Sequence, residues 1–135
     1  MQLQLDQAGK RLRKLIHMGS EKLRMAVATS GRRGLEDSVS EVFGRANTFT
    51  IIDVEEGTIK NVKVLENPAA SYRHGAGPIV VKMLVDSNVN LVIAPEFGPG
   101  VSTLLEQHNI AKVSVKAGTT VSEVVRKTLG RQKSS

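Results

Sequence analysis

The sequence predicts an α/β protein in which helices cover both faces of a mostly parallel sheet. Short apolar runs that end in Gly- or Pro-containing turns recur along the chain, and in its second half they alternate with amphipathic helical segments. Strands that alternate with helices favour a parallel sheet between two helical layers. The length of 135 residues suits one domain, and an aromatic content of 3% requires an aliphatic core.

The first strand and the segment that follows it are predicted from apolar spacing. The run RMAVATSG begins at Arg24 and ends in a Ser-Gly turn, which is typical of a buried strand. The next segment, GLEDSVSEVFGRA, places Leu35, Val39 and Val42 on one helical face. This spacing predicts a short helix or turn that is closed by Gly44.

A β-hairpin is predicted next. Two β-rich runs, 48–54 and 58–65, flank the pair Glu56-Gly57, where Gly57 supplies a positive φ without a Cβ clash. Pro68 ends the second run because proline cannot donate a hydrogen bond to a sheet. The hairpin therefore places one antiparallel strand in the sheet.

Three helices and two strands are predicted in alternation after the hairpin. The helices are predicted in GAGPIVVKMLVDSN, GPGVSTLLEQHN and TTVSEVVRKTLG, and the strands in VNLVIAPE and IAKVSVK. Pro78 lies near the first turn of its helix, where the missing N–H costs little. Thr119 or Thr120 is predicted to cap the last helix, with Glu123 in the first turn.

The positive charge of the chain is concentrated at its two ends. The formal net charge is +6, and much of the excess lies in residues 1–24 and in the last six residues. We predict a flexible basic extension at 1–23, a single α/β domain at 24–129 and a basic tail at 130–135. The sequence HMGS at 17–20 resembles residues left by cloning, so residues 1–20 are either partly such a remnant or a native frayed helix.

Composition argues against several classes of function. The scarcity of aromatic side chains for base stacking argues against nucleic-acid binding. No apolar run approaches the roughly 18 residues of a membrane span, and no signal-peptide pattern is present. The absence of cysteine excludes disulfides and thiolate ligands and favours a cytoplasmic protein.

Three glycine-containing loops are predicted to meet at one rim of the sheet. In open α/β sheets, ligands bind beyond the carboxyl ends of parallel strands. The loops TSGRRG, SYRHGAG and PEFGPG are predicted to lie there, and two of them open helices whose N–H groups favour an anion. The basic residues brought by these loops and by the neighbouring FGRAN segment are Arg32, Arg33, Arg45, Arg73 and His74. Plain helix entries and solvated surface charge stay open as simpler explanations.

Enzyme motifs are missing from the sequence. It has no Walker-type phosphate loop, no G-x-G-x-x-G fingerprint and no G-x-S-x-G motif around Ser30. The carboxylates Asp37, Asp53 and Glu66 are scattered, and the three histidines lack metal-ligand spacing. The sequence therefore predicts a binding protein and not an enzyme.

Several segments together resemble the dinitrogenase iron–molybdenum cofactor biosynthesis family. They are RMAVATSG, VSEVFGRANTFTIIDV, VLENPAASYRHGAGPIVVKML, VNLVIAPEFGPGVSTLLEQHNI and VSVKAGTTVSEVV, and the similarity runs from about residue 25 to 129. The resemblance implies a three-layer α/β/α, ribonuclease H-like fold with a five-stranded mixed sheet of order 3-2-1-4-5 and an antiparallel strand 2. It also implies a small carrier or chaperone of iron–molybdenum cofactor, of its precursors, or of other molybdenum-containing metal–sulfur clusters.

Two positions depart from the family pattern. Val42 stands where relatives in nitrogenase systems often carry His, and Phe97 precedes Gly98 where some relatives have Cys. Because the chain has no cysteine, a cluster would be held by His74, by positive charge and by backbone N–H groups.

The predicted cofactor site follows from this combination of loops and resemblance. Its members are Ser30, Arg45, Arg73, His74 and the N–H groups of Gly75, Gly77 and Gly98. We expect His74 to donate a hydrogen bond, with metal ligation by His74 as the alternative. The predicted function is a non-catalytic carrier of an anionic metal–sulfur cluster, with cluster-assembly or client proteins as partners. The alternative is a regulatory or protein-interaction domain that kept the fold and lost cluster binding.

Overall fold

In the computed structural model of the chain, residues 22–130 are described, and within that range they form one five-stranded mixed sheet with helices on both faces. Residues 1–21 and 131–135 lie outside the described range. The predicted extension and basic tail fall almost wholly there, as does the choice between a cloning remnant and a native helix. The first strand begins at Lys22, two residues before the predicted start of the domain.

The sheet has the strand order expected from the family resemblance. The strands are β1 (Lys22–Thr29), β2 (Thr48–Glu55), β3 (Thr58–Glu66), β4 (Leu91–Ala94) and β5 (Ala111–Ser114), and the helices are α1 (Ala76–Asp86), α2 (Pro99–Gln107) and α3 (Val121–Gly130). The order is β3-β2-β1-β4-β5. Strand β2 is antiparallel to β1 and β3, whereas β1, β4 and β5 are parallel. The predicted order 3-2-1-4-5 and the antiparallel second strand are confirmed.

Each face of the sheet carries its own aliphatic core. Helices α1 and α2 pack on one face, where Leu84 and Leu105 belong to the same buried cluster as strand residues such as Phe49. Helix α3 packs on the other face through Val121 and Val125. Because both faces are covered, β1 and β4 are buried along nearly their whole length, which explains their continuous apolar sequences.

The hairpin between β2 and β3 is confirmed. Glu55 pairs with Thr58, so Glu56 and Gly57 form a two-residue turn. Both turn residues have positive φ, 54° for Glu56 and 80° for Gly57, as a type I′ turn requires. The sequence predicted the left-handed conformation only for the glycine.

The segment from Leu35 to Gly44, predicted as a short helix or turn, forms turns and no α-helix. The segment has only a 3₁₀ turn at Gly34–Glu36, after which Val39 forms an isolated bridge with Thr29. Val39 is buried whereas Val42 is 42% exposed, so these positions do not share a buried helical face.

A buried carboxylate explains why this segment does not form a helix. The Asp37 side chain accepts hydrogen bonds from the N–H groups of Gly31 (3.2 Å), Arg33 (2.9 Å) and Ser38 (2.7 Å). Only 1% of Asp37 is exposed, and a Cβ atom on Gly31 would lie 2.9 Å from its Oδ2. These charge-assisted bonds hold the chain in a tight loop, which outweighs the helical spacing of the apolar residues.

Candidate functional site

A cleft of about 420 Å³ opens beyond the carboxyl end of β4, where α1 and α2 begin. Three segments line it: residues 41–45 before β2, residues 73–77 at the start of α1, and Glu96, Gly98 and Val101 around the start of α2. This is the rim at which open α/β sheets bind ligands.

The two helices that begin at the cleft lack side-chain caps. Gly75 precedes α1 with a left-handed backbone, and Gly98 precedes α2 in an extended conformation, and neither has a side-chain cap hydrogen bond. Helix α3 differs, because the Thr120 Oγ1 atom accepts the Glu123 N–H at 3.3 Å, as predicted. First-turn N–H groups without a side-chain cap are available to an external acceptor.

An aromatic cluster anchors the 41–45 segment to the core. The buried ring of Phe43 packs edge-on against Phe49 with centroids 5.6 Å apart, and against Phe97 at 5.3 Å. Phe97 belongs to the loop that enters α2, so Phe43 joins two of the three lining segments. These rings fix the wall of the cleft through apolar burial.

Asn67 positions the same segment through hydrogen bonds, a role that sequence reasoning missed. Its Nδ2 atom donates to the carbonyls of Gly44 (2.9 Å) and Ala46 (2.8 Å), which lie on either side of Arg45. Its Oδ1 atom accepts the Ala69 N–H at 2.9 Å. The adjacent Pro68 indicated only the end of a strand, whereas the buried amide needs partners that the sequence does not show.

Close backbone packing explains two of the glycines in the cleft. A Cβ atom on Gly77 would lie 2.6 Å from a methyl carbon of Val101, so this glycine lets α1 approach α2. A Cβ atom on Gly44 would lie 3.2 Å from the backbone nitrogen of Gly77. Gly77 is therefore needed for packing, and a side chain on Gly44 would require its neighbours to shift by a few tenths of an ångström.

Six of the seven predicted site residues line the cleft. They are Arg45, Arg73, His74, Gly75, Gly77 and Gly98. Ser30 does not line it: its N–H donates to the Ser38 carbonyl at 3.2 Å, and its carbonyl accepts from Asn47 Nδ2 at 2.9 Å. The geometry brings the six together, and whether they bind a cofactor stays a prediction.

The loop after β1 does not join the cleft as predicted. Arg32 and Arg33 are absent from its lining, and the Arg32 Nε atom pairs with Glu66 Oε2 at 2.6 Å. The N–H groups of this loop are engaged by Asp37 instead. Three loops do converge, but the third is the 41–45 segment.

The charge of the cleft also differs from the prediction of a single sign. Glu41 and Glu96 line it together with Arg45 and Arg73. Two positive and two negative side chains give a formal charge of zero when His74 is neutral. Glu96 belongs to the PEFGPG loop that was predicted at the rim, but neither carboxylate was included in the predicted site.

No metal-binding cluster accompanies the cleft. Among residues 22–130, no group of three or more His, Cys, Asp or Glu side chains is arranged to hold a metal ion. Cysteine is absent from the whole sequence. A metal-containing ligand in the cleft would therefore meet two arginines, two carboxylates, one imidazole and backbone N–H groups.

A second cavity of about 370 Å³ at the opposite end of the sheet has a structural explanation. In its wall, Arg24 Nε donates to Asp53 Oδ1 at 2.6 Å, and Arg24 Nη1 donates to the Ser87 carbonyl at 2.7 Å. The hydrogen bond from Arg24 lowers the pKa of Asp53 below its ordinary value. This arrangement ties the end of α1 to β1 and β2.

Sequence comparison identifies the family. The profile of the family described as dinitrogenase iron-molybdenum cofactor matches residues 21–130. A curated relative, the uncharacterized protein MJ0580 of Methanocaldococcus jannaschii, is 34% identical over 72 residues, which are 53% of this chain. The match spans 61% of that relative's length.

None of the helices within residues 22–130 has the length and apolar character needed to cross a membrane.

Two solved structures share the fold. The apo form of the orange protein from Desulfovibrio gigas is 28% identical with a TM-score of 0.73, and the match covers 84% of this chain and 92% of that one. The Thermotoga protein TM1290, solved by NMR, is 35% identical with a TM-score of 0.65. The match covers 81% of this chain and 90% of that one. The fold expected from the resemblance is confirmed.

Proposed function

Because the chain belongs to the dinitrogenase iron-molybdenum cofactor family, we propose that it is a non-catalytic carrier of an anionic cluster of the iron–molybdenum type, of another molybdenum-containing metal–sulfur cluster, or of a precursor. The cluster is cargo in this proposal, taken up and later released to a cluster-assembly or client protein. The cleft is the proposed binding site.

One observation carries the proposal: two helix N-termini without side-chain caps and two arginines meet in one cleft. The N-caps are Gly75 and Gly98, and the arginines are Arg45 and Arg73. Metal–sulfur clusters of net negative charge accept hydrogen bonds at their surface sulfides, so N–H groups and guanidinium groups suit them.

The absence of thiolates favours releasable binding. A cluster held by hydrogen bonds and charge keeps its own ligands and leaves without breaking a metal–sulfur bond to the protein. The carboxylates of Glu41 and Glu96 reduce the attraction for an anion, which also suits a carrier. In this mode His74 donates a hydrogen bond, and the alternative is that His74 ligates a metal of the cargo.

The test is a titration of the purified chain with tetrathiomolybdate, followed by visible absorbance. We expect binding that weakens as the salt concentration rises from about 0.05 to 0.5 M, because open-cleft charges are screened over about 8 Å at physiological ionic strength. Affinity that ignores salt but disappears at pH 5 would indicate ligation through His74 instead, since a protonated imidazole cannot bind a metal. No binding under any of these conditions would overturn the carrier proposal.

A regulatory or protein-interaction domain is the second candidate function. Two apolar side chains, Val42 and Tyr72, are 42% and 43% exposed, and Val42 lines the cleft while Tyr72 precedes Arg73. Exposed apolar groups at a polar rim are typical of protein contacts. A folded chain that does not bind tetrathiomolybdate would favour this candidate.

A further inference from the structure

Different structural constraints explain the glycines that line the cleft. Four line it: Gly44, Gly75, Gly77 and Gly98. Packing constrains Gly44 and requires Gly77, because added Cβ atoms would lie 3.2 Å and 2.6 Å from their neighbours. Gly75 has a φ of 75°, a conformation that other residues adopt at a cost. Neither packing nor a left-handed backbone conformation explains the glycine at position 98.

The local structure at Gly98 would accept a side chain. Its φ of −64° and ψ of 159° are open to any residue and typical of a residue before proline. A Cβ atom there would meet nothing within 4 Å, and the residue is exposed. Gly98 is also the N-cap of α2, a position at which Ser, Thr, Asp or Asn would supply a hydrogen bond. Stability alone would therefore favour another residue.

We propose that Gly98 is a specificity-determining residue, whose missing side chain leaves the space in which a bulky sulfide-bearing anion lies against the start of α2. This inference rests on the proposed function. A Cβ atom keeps ligand atoms about 3.5–4 Å away from itself, whereas an N–H donor must come within about 3.2 Å of its acceptor. A side chain at this position would hold a rigid cluster off the backbone.

Gly100 provides a matched control. It lies two residues further along, is exposed, and has nothing within 4 Å of an added Cβ atom, but it does not line the cleft. Alanine at either position reduces the freedom of the unfolded chain and adds no clash. The two substitutions differ in their place relative to the cleft, and Gly98→Ser is the variant whose stability is best matched to that of Gly100→Ala, because serine is a good N-cap whereas alanine is not.

The experiment compares the wild-type chain with Gly98→Ala, Gly98→Ser and Gly100→Ala. Thermal unfolding measures stability, and the tetrathiomolybdate titration measures affinity. We expect Gly98→Ser and Gly100→Ala to keep or raise the melting temperature, by up to about 5 °C, and Gly98→Ala to lower it slightly because alanine is a poorer N-cap than glycine. We expect Gly98→Ala and Gly98→Ser to weaken binding at least about tenfold, and Gly100→Ala to bind like the wild type.

Three outcomes would overturn the inference. Wild-type affinity in Gly98→Ala would show that the space is not used, and equal losses in Gly98→Ala and Gly100→Ala would show that the effect is not local. A marked fall in melting temperature for both Gly98 variants would show that the fold requires the glycine. If the wild-type chain itself does not bind tetrathiomolybdate, the proposed function fails first and the inference falls with it.

Discussion

Two glycine-rich basic loops of this molecule look alike in sequence and differ in what their N–H groups bind. In the loop after β1, the N–H groups of Gly31 and Arg33 are taken by the carboxylate of Asp37. In the loop that enters α1, Gly75 caps the helix without any side-chain hydrogen bond, beside exposed Arg73 and His74. An internal acceptor turns the first loop into a structural element, and the lack of a side-chain cap leaves the second available to an external one.

The largest expected effect is on stability and comes from Asp37→Ala. The substitution removes an acceptor of three N–H groups in a site that is 1% exposed, so we expect a loss of about 3–4 kcal/mol in the free energy of unfolding. Chemical denaturation measures it, with the exposed neighbour Glu36→Ala as control. If an Asp37→Ala chain still folds but no longer binds tetrathiomolybdate, the loop after β1 takes part in binding. That result would contradict its purely structural role.

Asn67→Ala should destabilise the chain by about 2–3 kcal/mol, because three neutral hydrogen bonds disappear from a buried site. Unlike Asp37, Asn67 holds a segment of the cleft, so cargo affinity should fall as well. Denaturation and the tetrathiomolybdate titration report the two effects separately. Unchanged affinity would mean that the position of Arg45 does not matter for binding.

His74→Ala should weaken cargo binding by about 1.5–3 kcal/mol, or about ten- to a hundredfold, because one charge-assisted hydrogen bond is lost. His108→Ala is the control, since His108 follows the last residue of α2, about 13 Å along the helix from the cleft. The titration compares both variants with the wild type. Equal effects of the two substitutions would leave His74 as a solvated loop residue.

Glu96→Gln should strengthen anion binding by about threefold at low salt, because it removes a negative charge from the cleft wall. The gain should shrink as salt increases. Glu36→Gln, which lies outside the cleft, should change nothing. A fall in affinity with Glu96→Gln would mean that the carboxylate contacts the cargo directly.

The smallest effect is the acid dependence of Asp37. Burial by itself raises the pKa of this carboxyl, but the N–H groups of Arg33, Ser38 and Gly31 outweigh it and hold the pKa below the ordinary value. The stabilisation is therefore complete above about pH 4, where the unfolded carboxyl is ionised, and is lost as pH falls through the lower pKa of the folded state. The free energies of unfolding of the wild type and of Asp37→Asn, measured between pH 6 and pH 2, should differ by less as the pH falls. A difference in the free energy of unfolding that does not change with pH would mean that packing, and not the charge of Asp37, causes the stabilisation.

Local patterns predicted most elements of the fold, whereas side-chain contacts that these patterns do not reveal decided the rest. The hairpin followed from Glu56-Gly57, whereas the sheet order came from the family resemblance. The helical alternative for this segment arose because Leu35, Val39 and Val42 have helical spacing, and nothing in the sequence showed that Asp37 would bind the preceding loop. The residues that line the cleft were likewise predicted only in part.

Predictions for the cleft succeeded for Arg45 and for the residues that open helices, and failed where side-chain contacts decide which loops reach the cleft. Gly75 and Gly98 precede helices in the sequence, so their place at the rim could be foreseen. The approach of Glu41 and Glu96 depends on how two distant loops pack. The support that Asn67 gives to the 41–45 segment depends on a buried amide whose partners lie more than twenty residues away.

The direction of β1 has a practical consequence for handling the protein. Lys22 pairs with Glu55 at the hairpin end of the sheet, whereas the cleft lies beyond the opposite ends of β1 and β4. An eight-residue strand spans about 26 Å, so the chain enters the domain about that far from the proposed cargo. An affinity handle or a fluorescent label joined directly to Lys22 is therefore attached at the far end, and a sensor surface that captures the protein there would present the cleft to solution.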